Sequence, residues 1–233
     1  MADRPTLMLL PGLLCDESVF SHQAAGLKDI CDVSSPHFRG FDSIEGMARH
    51  VLDIAPPKFA LAGFSMGGRV SMQIMALAPE RVTRLCLFDT GAAPEPAGGA
   101  AARQPLVDLA YKQGMEALAN AWLPPMLGKA RKDDAAFKKP LVEMVCRATP
   151  EQHEKQIKAL VERPDFRDVL PKIACPTLVI CGEEDASAPV SVHAEMAHAI
   201  PDAQLTVVPG SGHFLPVEQP EAFTAALRRW MER

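Results

Sequence analysis

The sequence predicts an α/β protein, a mostly parallel sheet of about six strands with helices on both faces, interrupted by a helical insertion. Three observations lead there. Short apolar runs alternate with helical patterns in both the first and the last part of the 233-residue chain. The alternation stops between Phe88 and Thr177, where helical patterns follow one another with no strand-like run between them. Finally, Gly63-Phe64-Ser65-Met66-Gly67-Gly68 joins an apolar run to a helical pattern through a glycine-bearing bend.

In order, Thr6–Leu10 reads as the first strand, and Leu10-Pro11-Gly12-Leu13-Leu14 as the turn that leaves it. A helix over about Phe20–Leu27 leads to a strand at Cys31–Ser35, and a helix at Ile44–Ile54 leads to a strand at Phe59–Ala62. From Arg69 the period changes: Val70, Ile74, Leu77 and Ala78 share one face until Pro79, which gives a helix over Gly67–Leu77. Arg84–Phe88 is the next strand, followed by Asp89-Thr-Gly-Ala-Ala-Pro-Glu-Pro and a Gly/Ala turn region. Helical patterns then run near Gln104–Ala121, Asp133–Arg147 and Glu151–Arg163. Pro171 and Pro176 bracket the return to the sheet, with strands at Thr177–Cys181 and Gln204–Val208 and helices at Val190–Ala199 and Pro220–Trp230. The chain thus divides into a core, 1–94 and 171–233, and an insertion, 95–170, expected to lie over the strand ends where such sheets bind ligands.

Composition narrows the class. Apolar residues make up 48% and charged residues 23%, the balance of a globular domain. A net charge of −5, with Lys and Arg interspersed among acids, argues against nucleic acid or an anionic membrane as partner. Lys129-Ala-Arg-Lys-Asp-Asp134 reads as a solvated turn. Leu7–Leu10 is too short for a signal sequence, and no segment approaches the ~20 apolar residues of a membrane span. Cys15, Cys31, Cys86, Cys146, Cys175 and Cys181 lack metal-ligand spacing and suit a reducing cytoplasm as small hydrophobes. No metal is expected.

The bend at Ser65 carries the chemistry. A serine between strand and helix is held in a sparsely populated backbone conformation that thrusts its hydroxyl above the sheet. Gly63 and Gly67 flank it because a Cβ at either place would collide with the neighbouring strand or helix. The Met66 N–H, at the helix N-terminus, is free to bind a developing oxyanion. A nucleophilic serine needs a base and a group to orient that base, both from loops at strand carboxyl ends. His213 follows Gln204–Val208 in Pro209-Gly-Ser-Gly-His213-Phe214, and Asp185 follows Thr177–Cys181 in Gly182-Glu-Glu-Asp185. Glu183 and Glu184 compete locally with Asp185. Asp89 competes from a distance, although a hydrogen bond to its own Thr-Gly turn accounts for it. The second oxyanion donor is expected from the Gly12 turn, with Leu13 first and Leu14 in reserve.

Together these stretches resemble the α/β-hydrolase superfamily over nearly the whole chain, on its small bacterial esterase and lactonase branch, which includes carrier-protein methyl ester esterases and 3-oxoadipate enol-lactonases. The matching residues are Leu9-Leu10-Pro11-Gly12-Leu13-Leu14, Gly63-Phe64-Ser65-Met66-Gly67-Gly68, Pro176-Thr-Leu-Val-Ile-Cys-Gly182-Glu-Glu-Asp185, Gly212-His213-Phe214 and Glu218-Gln-Pro-Glu221. The resemblance implies a helical lid, no metal and no organic cofactor. It has departures. Thr6–Leu10 reads as the family's third strand, so a fold lacking the usual leading strand pair is expected, Pro11 stands where many members have His, and Ser35-Pro36-His37-Phe38-Arg39-Gly40 replaces an Asp-x-x-Gly-His-Gly stretch.

The expected activity is cleavage of a small to medium carboxylic ester or lactone through an acyl-enzyme, by a monomer or homodimer. Thioesterase, acyltransferase and cofactor-free perhydrolase chemistry would use the same residues, and a ligand-binding protein without turnover is the rival of another kind. Trp122, Leu123, Met126, Leu127, Phe137 and Met144 serve as insertion core by default, or as an acyl pocket where they face the site. Arg39, Arg103 and Arg147 are the cations a substrate carboxylate would meet, with exposed charge as the simpler account.

Overall fold

The computed structural model describes residues 4–233. Six strands form one parallel sheet in the order β2-β1-β3-β4-β5-β6. The strands are β1 (Thr6–Leu10), β2 (Asp32–Ser34), β3 (Phe59–Phe64), β4 (Val82–Phe88), β5 (Thr177–Gly182) and β6 (Gln204–Val208). β3 and β5 are buried at every residue, so both faces of the sheet's middle are covered and their sequences read as unbroken apolar runs. β2 is shorter than expected, three residues with Cys31 and Ser35 outside it, as suits an outermost strand.

The core helices are α1 (Ser21–Leu27), α2 (Ile44–Ile54) and α3 (Met66–Leu77). Glu17–Phe20 forms a 3-10 turn ahead of α1, its N-terminus capped by Asp16, so the helix expected from Phe20 begins one residue later. Between β4 and β5 lie α4 (Gly99–Gln113), α5 (Met115–Trp122), α6 (Ala135–Cys146) and α7 (Pro150–Val161). The single helix expected over Gln104–Ala121 is two, because Gly114 takes a φ of +87° between them. After β5 come α8 (Val190–Ala199), the short α9 (Leu215–Glu218) and α10 (Pro220–Met231).

The chain reverses direction across the sheet between β1 and β3. β1 leads outward to β2, the chain returns to β3 on the other side of β1, and then proceeds to β6. Adjacent crossovers therefore run to opposite sides there, which opens a crevice at the carboxyl ends. The register places Leu10 opposite Gly63, so the Gly12 turn and Ser65 leave the sheet side by side.

Candidate active site

Ser65 occupies the bend between β3 and α3 with φ 51° and ψ −109°, a conformation few non-glycine residues adopt. The bend is held from several sides. Ser65 N–H donates to the Phe88 carbonyl at 3.0 Å, continuing the β3–β4 ladder, and its carbonyl accepts from Gly68 N–H at 3.0 Å and from the Thr90 hydroxyl at 2.7 Å. The glycines have the role expected of them. A Cβ on Gly63 would strike the Gly67 carbonyl, and one on Gly67 would strike the Leu10 carbonyl, both backbone atoms unable to move away. Thr90 is itself placed by His193, whose Nε2 accepts the Thr90 N–H at 3.0 Å. His193 Nδ1 lies 3.2 Å from the Pro189 carbonyl, so that nitrogen carries the ring's proton. Burial holds His193 below the usual histidine range, in this neutral form.

The structure brings Ser65, His213 and Asp185 into one hydrogen-bonded chain. Ser65 Oγ lies 2.9 Å from His213 Nε2, and His213 Nδ1 lies 2.8 Å from Asp185 Oδ2. An ionised carboxylate accepts only, so the proton sits on Nδ1 and Nε2 offers its lone pair to the serine hydroxyl. The second Asp185 oxygen accepts N–H groups from Ser187 at 2.8 Å and Ala188 at 2.9 Å, which fixes the carboxylate's rotation. Burial opposes the Asp185 charge, but His213 and these two donors outweigh it and hold the carboxyl below its ordinary value. His213 is buried, and its ring stands 5.5 Å from that of Phe64.

The neighbouring acids have other partners. Glu184 accepts the Lys129 N–H at 2.6 Å. Asp89 corrects the sequence reading: it bonds not to its own Thr-Gly turn but across the sheet, to Gly182 N–H at 3.0 Å and Leu215 N–H at 3.2 Å. It thereby ties the ends of β4 and β5 to the segment following His213. Full burial, then the nearby Asp185 charge, raise the Asp89 carboxyl well above its usual range, so it is poorly suited to orient a base by charge.

On the other side, the Gly12 turn packs directly on the serine, and a Cβ at Gly12 would come within 3.4 Å of Ser65 Cβ. Among the described residues the N–H groups of Leu13 and Met66 donate to no protein acceptor. The N–H of Leu14, the reserve donor, is taken at 2.9 Å by the Gln156 side chain. Met66 opens α3, so the positive end of that helix adds to the field at Ser65 Oγ.

Sequence reasoning gave Glu218 only as part of the matching Glu218-Gln-Pro-Glu221 stretch and assigned it no role; its buried carboxylate gathers three backbone donors: Gly128 N–H at 2.7 Å, Gly212 N–H at 3.0 Å and Phe214 N–H at 3.1 Å. The last two flank His213, and Gly128 belongs to the insertion. The His213 N–H also donates to the Met126 carbonyl at 2.7 Å. Its place five residues past a loop histidine, in a stretch that matches the family, was the signal available. Of the apolar insertion residues, Trp122, Leu123, Leu127 and Met144 are buried, and Trp122 packs edge-on against Phe214 at 5.8 Å. Phe137 and Met144 line a cavity of about 430 Å³ with Val19, Leu141 and Val217, whose wall includes neither Ser65 nor His213. Arg103 pairs with Glu95 at 3.0 Å and Arg147 with Asp16 at 2.7 Å, so these two cations are already matched, while Arg39 is exposed. Among the described residues no His, Cys, Asp and Glu side chains cluster as a metal site, and no helix is long and apolar enough to cross a membrane.

Comparison with known proteins agrees with this fold. A model of the alpha/beta hydrolase family matches residues 7–226. The chain is 27% identical to 3-oxoadipate enol-lactonase 2 of Acinetobacter baylyi over all of its own length and 90% of that protein. It is 33% identical, over 73% of its length, to the dihydrolipoyllysine-residue acetyltransferase component of the acetoin cleaving system of Pseudomonas putida, of which the match spans 44%. A thermophilic esterase from Thermogutta terrifontis superposes with a TM-score of 0.88 at 28% identity, over 99% of this chain and 90% of that one. With nearly its whole length matched, and its sheet, elbow serine and histidine loop arranged as described, the chain belongs to the alpha/beta hydrolase family.

Proposed function

We propose that the protein is a serine hydrolase that cleaves a small to medium carboxylic ester or lactone through an acyl-enzyme. The observation that carries this reading is the unbroken chain Ser65 Oγ–His213–Asp185 on a serine held at a positive φ. Ser65 attacks the substrate carbonyl while His213 Nε2 takes its proton, and Asp185 holds the imidazole tautomer and stabilises the imidazolium. The Leu13 and Met66 N–H groups receive the oxyanion, an interaction whose loss costs about 100–1000-fold in rate per donor. His213 then returns the proton to the departing alkoxide. Water, deprotonated by His213, attacks the acyl-enzyme, and the acid leaves as Ser65 regains its proton.

The full-length similarity to an enol-lactonase supports including lactones, whose leaving group stays tethered to the acyl chain. Residues 95–170 act as a lid whose underside meets a small-molecule substrate, and no cofactor takes part. The test is hydrolysis of p-nitrophenyl esters from acetate to decanoate and of a lactone series, wild type beside Ser65→Ala. We expect Ser65→Ala to keep its fold and to lose turnover by several orders of magnitude, about 10⁴-fold or more as in other serine triads. Turnover that survives in Ser65→Ala refutes the assignment.

A further inference from the structure

A buried polar side chain of the insertion hydrogen-bonds the oxyanion side of the site. Gln156, on the inner face of α7, is 1% exposed. Its Oε1 accepts the Leu14 N–H at 2.9 Å, and its Nε2 donates to the Phe38 carbonyl at 3.4 Å. One amide from the insertion thus bridges the loops that follow β1 and β2.

The turn it grips is strained. Cys15 N–H donates to the Gly12 carbonyl at 3.2 Å, closing a β-turn over Gly12-Leu13-Leu14-Cys15, and its third residue, Leu14, has φ +58°. A type II turn puts glycine there, because a Cβ disfavours that conformation. In a leucine it persists only where the surroundings over-determine it. The alternative type I turn differs by rotation of the Leu13–Leu14 peptide. That rotation would relax Leu14 and swing its N–H away from Gln156. The Cys15 thiol donates to the Leu13 carbonyl at 3.3 Å on the other face of the same peptide, a weak contact beside an amide oxygen. Two ion pairs also link the insertion to these loops: Lys158 to Asp42, an exposed pair that water and salt can replace, and Arg147 to both oxygens of the half-buried Asp16, which lies beyond the turn.

We propose that Gln156 is a positioning residue: by holding the Leu13–Leu14 peptide it fixes the turn, and with it the adjoining Gly12–Leu13 peptide whose N–H is presented to the oxyanion. The role rests on the serine-hydrolase reading, and through it the insertion helps to assemble the site as well as covering it. A shift of the turn by about 1 Å is enough to cost about 100-fold in rate.

The experiment compares wild type, Gln156→Leu and Gln156→Glu by kcat and KM on a p-nitrophenyl ester, with active sites counted by exhaustive fluorophosphonate labelling, and by backbone amide exchange of Leu14. Gln156→Leu should keep KM within about twofold and lose about 10–100-fold in kcat per labelled site, with Leu14 exchange accelerated at least about tenfold. Gln156→Glu offers an oxygen in the same place to the Leu14 N–H, and its second oxygen, protonated in this buried site, can donate to the Phe38 carbonyl, so it should restore most of both. An unchanged kcat per labelled site in Gln156→Leu, or a Gln156→Glu no better than it, overturns the proposal. So does Leu14 exchange that ignores the substitution, a result that holds even for variants of low activity. Wild-type turnover insensitive to Ser65→Ala instead overturns the hydrolase reading, and with it the oxyanion role, while the exchange data still decide whether Gln156 holds the turn.

Discussion

Glu218 does two things with one carboxylate, and two substitutions separate them. Its Oε1 accepts the N–H groups of Gly212 and Phe214, on either side of His213, and its Oε2 accepts the Gly128 N–H from the insertion. Burial pushes the carboxyl pKa up, against the downward pull of these three donors. Glu218→Gln can keep an oxygen toward Gly212 and Phe214 only by turning its NH2 toward Gly128, where donor faces donor. One buried donor left unmet costs about 1–3 kcal/mol. Glu218→Ala strands all three donors, for an upper limit of about 3–9 kcal/mol, which water entering the vacated space brings toward the lower end. The expected losses are about 2 kcal/mol for Gln and about 4 kcal/mol for Ala, against a total stability of about 5–15 kcal/mol. Urea unfolding with fitted m-values measures both. Amide exchange adds a local reading: Gly128 exchange should accelerate in both variants, and Gly212 exchange only in Glu218→Ala. Equal losses in the two variants, or losses below about 0.5 kcal/mol, would refute the reasoning, since a surface substitution does as little.

Acid should destabilise the fold through His153. His153 is buried with its Nδ1 unpartnered among the described residues, and burial, then the Arg103 charge, depress its pKa to about 4. Below the ordinary value of 6.5 the unfolded chain binds a proton that the folded one refuses, so stability is complete above that pH and falls as pH descends toward about 4. The loss amounts to about 3 kcal/mol, and His153→Leu should flatten the slope of Tm across that window, with an unaltered slope counting against the account. Gly67→Ala forces a Cβ into the Leu10 carbonyl, whereas Gly40→Ala meets open space at a φ of +83°. The second should cost about 1–2 kcal/mol and the first more than about 4 kcal/mol or the soluble fold itself. Thermal melts of similar midpoint for the two variants would show that the elbow tolerates what its geometry forbids.

Much of the candidate site was legible because its residues announce themselves locally. Ser65 stands between an apolar run and a helical period, and His213 and Asp185 each lie just past a strand in a turn-forming loop. A parallel sheet delivers all such loops to one edge, so sequence position relative to a strand already implies spatial proximity. Gly63 and Gly67 were readable for a similar reason, since a strand packed on the helix that follows it leaves no room for a Cβ. Gly114 was equally visible but went unused, and the helix it divides was read as continuous.

What the chain order determined by itself is the alternation of strands and helices, the place of the insertion and the identity of the bend that carries Ser65. Those follow from hydrophobic period and backbone sterics, which act over a few residues. Only the tertiary structure decided which polar groups meet across long separations. Asp89 reaches Leu215, Glu218 reaches Gly128, and Gln156 reaches Leu14, pairs separated by 126, 90 and 142 residues. Nothing local to an aspartate, a glutamate or a glutamine specifies such a partner. The buried backbone N–H that packing leaves without an acceptor does, because leaving it unmet costs more than any local preference of the side chain that satisfies it.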